Sequence, residues 1–519
     1  MACLLPPIRW LISLSLCSIA VVTYLTRNNV NNAIVDMVLP SNSSTQRPDL
    51  CPASIVDSVE SPGDKVHLHD LHAWAADEKE ESGGTPRFPW TPQLQGLVLG
   101  SFFWPYFLCQ VPSGYLAGRF GGWIPICVSL TASGIISLMI PVITTPSAVY
   151  LITARALMGV FQSAIFPGIF VTACNWAPIE ERSLFIAVNE IGAQVGNILM
   201  QFCSGYLMHA YSWSILFYLP GSASLVLMLF VLLFVRNHPE DHCLVTPDEV
   251  ACIHAAPRAS TDESTILVSA DGCFDEETVR SAPSTPSKRI PWSGILSNRA
   301  VWALFLFKFA RSLASYLLSS ELPTYLASVL HEDLVTIGVV TAVGTSLTLV
   351  SFVTSAKVSE VLVQRRWLSR TKARKLFALL SGLGNALFLV LIPSLRCNHA
   401  SVITVFFIDS FLYGCQTGSD TPLPAEMTSK FYAVVYAMTN LFATAPGFLA
   451  PMITGAILTR VQDRWLAWSL VFYSFGGFLA LASLFFLAFA SAARQDFDLS
   501  PTERQQQQRL RYQSALGPR

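Results

Sequence analysis

The sequence predicts an all-α multi-pass membrane protein with twelve transmembrane helices in two six-helix halves. Three observations predict it. Of 519 residues, 52% are hydrophobic and only 13% charged, where a soluble chain carries about 25% charged residues. A bilayer core about 30 Å thick needs about 20 apolar residues per helix, and that ruler finds twelve stretches here. A long polar segment, 237–297, then separates the sixth stretch from the seventh. Basic and acidic residues number 33 and 34, for a formal charge of −1. No basic excess is left to meet nucleic-acid phosphates.

In chain order the spans are read at 8–38, 93–117, 121–143, 147–175, 182–208, 213–236, 298–329, 334–357, 373–395, 399–425, 429–457 and 465–491. The first is read as a retained helix and not a signal peptide, because no small-x-small cleavage site follows it. Residues 1–38 thus hold the N-terminus and first span, 93–236 complete the N-terminal half, and 298–491 form the C-terminal half. Between them lie a 39–92 loop with four basic and nine acidic residues and a 237–297 linker with four and ten. The linker's Ser/Pro-rich composition reads as disordered. The tail, 492–519, reads as a solvated low-complexity segment.

Orientation follows from the short loops, which retain positive charge on the cytosolic side. Residues 357–375 hold seven Lys or Arg and one Glu, so that loop is expected in the cytosol. An even number of crossings then places both termini and the linker there too, with 39–92 luminal or extracellular. The sequon Asn42-Ser43-Ser44 falls in that same loop and is a candidate glycosylation site. Most cysteines sit in apolar runs as small packing residues; Cys51 and Cys397 fall in polar segments, either bridged or free.

Three motifs narrow the class: GSFFWPYFLCQVPSGYLAGRFGGW (100–123), ARALMGVFQSAIFPG followed by NWAPIEERS (154–183), and the first-span ending YLTRNNVNNAIVDMV. HPEDHCLVTPDEVACI, IPWSGILSNRAVWA and YAMTNLFATAPGF extend the match. Together they resemble the anion:cation symporter family of the major facilitator superfamily, the group of sialin, the vesicular glutamate and nucleotide transporters and the sodium/phosphate cotransporters. The resemblance runs from about Arg9 to Ala490, and is looser in spans eight to ten. It implies the major facilitator fold and transport of a small anion. The motifs also have physical readings. Gly114, Arg119 and Gly121 belong to GYLAGRFGG, whose small residues suit a close helix approach. In WAPIEERS, Pro178 breaks the chain while Glu180, Glu181 and Arg182 cap the next helix. A purely structural hinge is the alternative for both.

Ionisable groups at bilayer depth are costly and mark pathways. Arg27, Arg155 and Arg311 qualify. By helical rise, Arg155 lies roughly 12 Å from the luminal end of its span and Arg311 roughly 20 Å from the cytosolic end of its own. One central or slightly luminal cavity within reach of all three is therefore expected. A guanidinium can take a carboxylate or phosphate through two parallel hydrogen bonds. The resemblance implies the same role for Arg27 and Arg155, while Arg311 matches the glutamate-transporter type. Snorkelling or structural pairing is the alternative for each, and the role of Lys308 is left open.

Among the acids, Glu190, Glu321, Asp409 and Glu426 are candidates to carry a coupling ion, H+ or Na+; each can equally serve as a permanent partner of an Arg. Asp36 and Asp420 also lie in or near spans. Gln162 stands where many members of the family have Glu, and Leu99 where the vesicular glutamate type has His, so coupling through those positions is in question. No nucleophile, metal cluster or phosphate-cradling glycine loop stands out. An enzyme, a catalytic residue, a metal and a cofactor are accordingly not expected, and no filter-like loop suggests a channel. The expectation is a monomeric secondary transporter of a glutamate-, sialate-, nucleotide- or phosphate-like anion, in a vesicular, lysosomal or plasma membrane. A transporter-like sensor or scaffold without turnover is the alternative.

Overall fold

A computed structural model describes residues 7–38, 87–145, 147–178, 181–253, 291–396, 398–428 and 431–498. Asn42, Cys51, Cys397 and residues 254–290 of the linker lie outside them. Twelve long helices run back and forth: α1 (Ile8–Met37), α2 (Pro92–Phe120), α3 (Trp123–Ile143), α4 (Ala148–Trp176), α5 (Arg182–Ala210), α6 (Ile215–Phe234), α7 (Arg299–Ser328), α8 (Leu334–Gln364), α9 (Arg370–Leu395), α10 (His399–Met427), α11 (Val434–Arg460) and α12 (Arg464–Phe489). Eleven are long and apolar enough to cross a bilayer. The twelfth, α5, is 29 residues long but carries Asn189, Glu190, Gln194, Asn197 and Gln201 along its length. The face with the start of α1 and the end of α12 is termed the near face, the opposite one the far face.

Capping side chains set several starts. Ser147, Asn298, Asp333, Ser369, Asn398 and Asp463 each accept a hydrogen bond from a backbone N–H of the first turn, satisfying donors that a helix leaves open. Pro112, Pro141, Pro220, Pro323 and Pro451 sit inside helices, where packed neighbours can re-satisfy the freed carbonyls. Helices in lipid gain little from hydrophobicity alone and associate through packing. Within the C-terminal half, α7 packs on α12 through Phe307–Phe486 at 4.5 Å and Tyr325–Trp468 at 5.3 Å between ring centroids.

Three boundaries differ from expectation. Helix α8 continues to Gln364, because KVSEVLVQ holds no breaker; much of the expected basic loop is therefore helix end. The linker is ordered at both ends, with short helices at Pro247–Ile253 and Trp292–Leu296. After α12 the chain does not stay in solvent. Phe497 and Asp498 are buried, Asp498 Oδ1 accepts from Thr428 Oγ1 at 2.6 Å, and Asn298 Nδ2 donates to Gln495 Oε1 at 3.0 Å. Cys174, expected as a free packing residue, is buried and also disulfide-bonded. On the far side, the chain leaves α1 and returns beside it: Phe88 N donates to Met37 O at 2.7 Å, and Arg87 pairs with Asp36 at 2.6 Å.

The halves meet toward the far face. A Cβ at Gly96 would collide with the Pro451 carbonyl, and one at Gly205 with that of Leu334, so backbones touch directly between α2 and α11 and between α5 and α8. Gln93 N donates to Thr459 Oγ1 at 3.1 Å, and Thr345 Oγ1 to Gln201 Oε1 at 2.6 Å. Toward the near face the contacts thin out. There α2 buries only Ser113 and Ala117, with Val111, Tyr115 and Leu116 exposed. The halves part on that side.

Candidate functional site

Two guanidinium groups share the far-face part of the first half. By helical rise, Arg27 on α1 lies about 15 Å from the far end of its helix and Arg155 on α4 about 10 Å from its own. Arg155 Nη1 donates to the Arg27 backbone carbonyl at 3.0 Å. Arg27 Nε donates to Gln162 Oε1 at 3.5 Å, and Gln162 Nε2 in turn to Thr26 Oγ1 at 3.0 Å. The local folding explains the cluster: α4 breaks into a turn just after Gln162, and α2 does so at Ser101–Phe102. Interrupted helices of this kind are how transporters build midplane sites.

The surroundings are aromatic. The Arg27 guanidinium lies 4.8 Å from the Tyr106 ring centroid, 5.0 Å from Tyr24 and 5.1 Å from Phe102, and Arg155 lies 5.2 Å from Phe102. A desolvated contact of this type contributes about 2 kcal/mol, which offsets part of the burial cost of the charge. Hydrogen bonding does not complete the offset. Arg27 Nη2 and Arg155 Nε and Nη2 are buried without partners, and no ion pair with a carboxylate is formed by either residue among the described residues. Each orphaned donor costs about 1–3 kcal/mol. Such a site is electrostatically incomplete and suits an anion.

Arg311 is not part of that cluster. Its helix position puts it about 26 Å from the far end of α7, roughly 10 Å off the depth of Arg27. Its Nη2 donates to Asp420 Oδ2 at 3.1 Å, and Lys308 Nζ reaches the same oxygen at 3.1 Å. Two arginines converge in the N-terminal half, while the third is held in the C-terminal half by an acid whose proximity could not be read from sequence. Asp420 stands on an irregular turn between the 3-10 segment Cys415–Gly418 and Leu423–Met427. A cavity of about 50 Å³ adjoins it, lined by Lys308, Asp420, Thr421, Tyr436 and Asn440 among others.

Four tyrosines connect the two clusters, and the sequence reading named none of them. The Tyr413 ring lies 5.2 Å from the Arg311 guanidinium. Tyr316 packs on Phe103 at 4.9 Å and lies within electrostatic reach of Tyr24, Tyr106 and Tyr413. Aromatic residues in a span look like core, and only the approach of both arginines marks these four as lining.

The acids separate by partner. Glu426 is engaged by Arg374, with Nη2–Oε1 at 2.6 Å and Nε–Oε2 at 3.0 Å. In this structure Glu426 is thus the partner of an Arg, the alternative named for it. Glu190 on α5 is exposed and within electrostatic reach of Lys308 of the other half. Glu321 Oε1 and both Asp409 oxygens are buried without partners. The motif residues behave differently from expectation. Gly114 and Gly118 face open space, so they make no close approach; Gly122, against Gly168 of α4, does. Arg119 is exposed. Gly121 has φ of 79°, a conformation that needs glycine, and the turn it makes is held by Asn237, whose Oδ1 accepts from Trp123 N at 2.9 Å. Glu181 does not cap α5 but pairs with Arg9 of α1 at 3.1 Å. Arg182 opens α5; its side chain lies outside the described set, as does Glu180.

Comparison with known proteins places the whole fold. The profile described as Major Facilitator Superfamily matches residues 16–451. The chain is 26% identical over 479 residues to sialin of Ovis aries, covering 92% of this chain and 88% of that protein. It is 24% identical over 412 residues to sodium-dependent phosphate transport protein 1 of Mus musculus, covering 79% and 83%. Among solved structures, a bacterial homolog of the human lysosomal transporter Spinster, inward-facing and unoccupied, superposes with a TM-score of 0.64 at 14% identity, covering 96% of this chain and all of that one.

Proposed function

The chain belongs to the major facilitator superfamily, and on that premise we propose that it is a secondary active transporter of small organic or inorganic anions. It works by alternating access of its two halves around the central site. The observation that carries this reading is the buried Arg27–Arg155 pair, with three donor nitrogens unpartnered and, among the described residues, no acid paired to either group. A carboxylate or phosphate supplies both the missing acceptors and the missing charge. The name of the phosphate-transporting relative supports an anionic cargo, and the parting of the halves at the near face supports an access route.

The near face is assigned to the cytosol, because Arg365, Arg366, Arg370, Lys372 and Lys375 cluster there and basic residues stay on that side. A gradient of H+ or Na+ supplies the driving force, with Glu190, Glu321 and Asp409 as the remaining coupling candidates. Gln162 cannot carry a proton at neutral pH and serves instead to hold Arg27. Glutamate-, sialate-, nucleotide- and phosphate-like anions stay open as cargo, in a vesicular, lysosomal or plasma membrane.

Reconstituted proteoliposomes offered a panel of labelled anions, with pH and potential clamped separately, test the reading. Saturable uptake that collapses in Arg155→Ala at equal protein level is the expected result. Unchanged uptake in that variant refutes the site. Absence of counterflow for every anion points instead to the sensor alternative, which Gln162 and Leu99 would then explain.

A further inference from the structure

Asp420 is placed where a ligand would be expected. Its Oδ2 accepts from both Lys308 and Arg311 at 3.1 Å, its Oδ1 has no partner, and Arg311 keeps Nε and Nη1 unpartnered. The three groups sum to one net positive charge, so the carboxylate does not neutralise the pair it bridges. It is also not fixed by a helix, since Ser419–Pro422 is irregular chain, and the adjoining cavity leaves it room to withdraw. A structural ion pair in a membrane core is normally better satisfied on both sides.

We propose that Asp420 is a tethered counter-anion: it occupies the Lys308–Arg311 cation pair in this state and yields it to the second acidic group of a two-acid substrate. The first acidic group rests on Arg27 and Arg155, so this inference builds on the function proposed above. The substrate class follows from the charges. Arg27 and Arg155 contribute two positive charges and the Lys308–Arg311–Asp420 cluster one, which a dianion balances better than a monoanion. A tethered group competes at an effective concentration near the millimolar range. Weakly bound monoanions therefore fail to displace it, and Asp420 sets specificity as well as affinity.

Thermal unfolding of purified Asp420→Ala and wild-type protein, titrated with acetate, inorganic phosphate and succinate, tests this. Asp420→Ala should unfold at lower temperature without anion and recover on adding millimolar acetate, which fills the vacated carboxylate position; wild type should gain less than half as much. The recovery should disappear in Asp420→Ala/Arg311→Gln. Recovery no larger than in wild type, or recovery that survives the double change, overturns the proposal. Should Asp420→Ala not fold, the isosteric Asp420→Asn gives a second measurement in proteoliposomes. Its KM for succinate should fall about fivefold, with acetate newly able to inhibit; an unchanged or raised KM with no acetate inhibition refutes the idea. The titration reads binding without transport, so its failure is distinguishable from a failure of the Arg155→Ala uptake test.

Discussion

Arg155 donates a hydrogen bond from Nη1 to the backbone carbonyl of Arg27 at 3.0 Å, so one guanidinium is oriented by the main chain of the other arginine's helix and not by an acid. Both cations stay available. A carboxylate in that position would have filled the site with the protein's own charge, as Asp420 does beside Arg311.

Stability and transport should therefore move in opposite directions at Arg155. Burying an unpaired charge costs several kcal/mol, and a hydrophobic side chain of similar volume removes that cost. Arg155→Met is expected to raise the unfolding temperature in the absence of anion and to abolish uptake. Arg155→Lys, which keeps charge but loses the planar fork, should cut uptake by at least about tenfold. Thermal unfolding beside initial-rate uptake checks both.

A carboxylate at position 162 would meet Arg27 directly, because Gln162 Oε1 already accepts from Arg27 Nε. Gln162→Glu should raise KM at neutral pH by about tenfold, the factor that about 1.4 kcal/mol of competition represents. As pH falls the new group takes a proton and releases Arg27, so uptake by this variant should rise toward acid pH relative to wild type. A pH series of KM in both proteins decides it.

The far-face seam depends on two glycines. Any side chain at Gly96 or Gly205 collides with backbone of the other half, and backbone cannot swing aside as a side chain can. Gly96→Ala and Gly205→Ala should each depopulate the state closed at the far face and slow transport, leaving folding intact. Distances between spin labels on the far ends of α5 and α8 should lengthen.

Asp409 has both carboxylate oxygens buried without partners, while Asn385 Nδ2 donates to its backbone carbonyl at 3.5 Å. Neutral Asp409→Asn should keep or raise stability and remove the dependence of uptake on H+ or Na+, while exchange counterflow persists. Retained cation dependence would leave Glu190 and Glu321 as coupling groups.

The twelve helices and the burial of Arg27 and Arg155 were legible because they depend on local quantities: apolar run length, and the depth of a charge along one helix. What depended on packing between distant segments was not. Lys308, Arg311 and Asp420 are more than a hundred residues apart along the chain at their extremes, and nothing local announces their meeting. The glycines of GYLAGRFGG showed the converse. Small residues read as a packing seam, yet Gly114 and Gly118 face open space, while the seam between the halves uses Gly96 and Gly205, which no motif marks. Phe497 and Asp498 were hidden in a polar tail, since two residues make no periodicity.

That far-face seam is made of backbone laid against backbone, with hydrogen bonds accepted by neutral groups, Thr459 Oγ1 and Gln201 Oε1. No ionisable side chain takes part in these four contacts. Opening the seam means parting main chain from main chain, so the energy to open it must reach it through the binding of cargo and coupling ion in the middle and not through a titrating side chain at the contact itself.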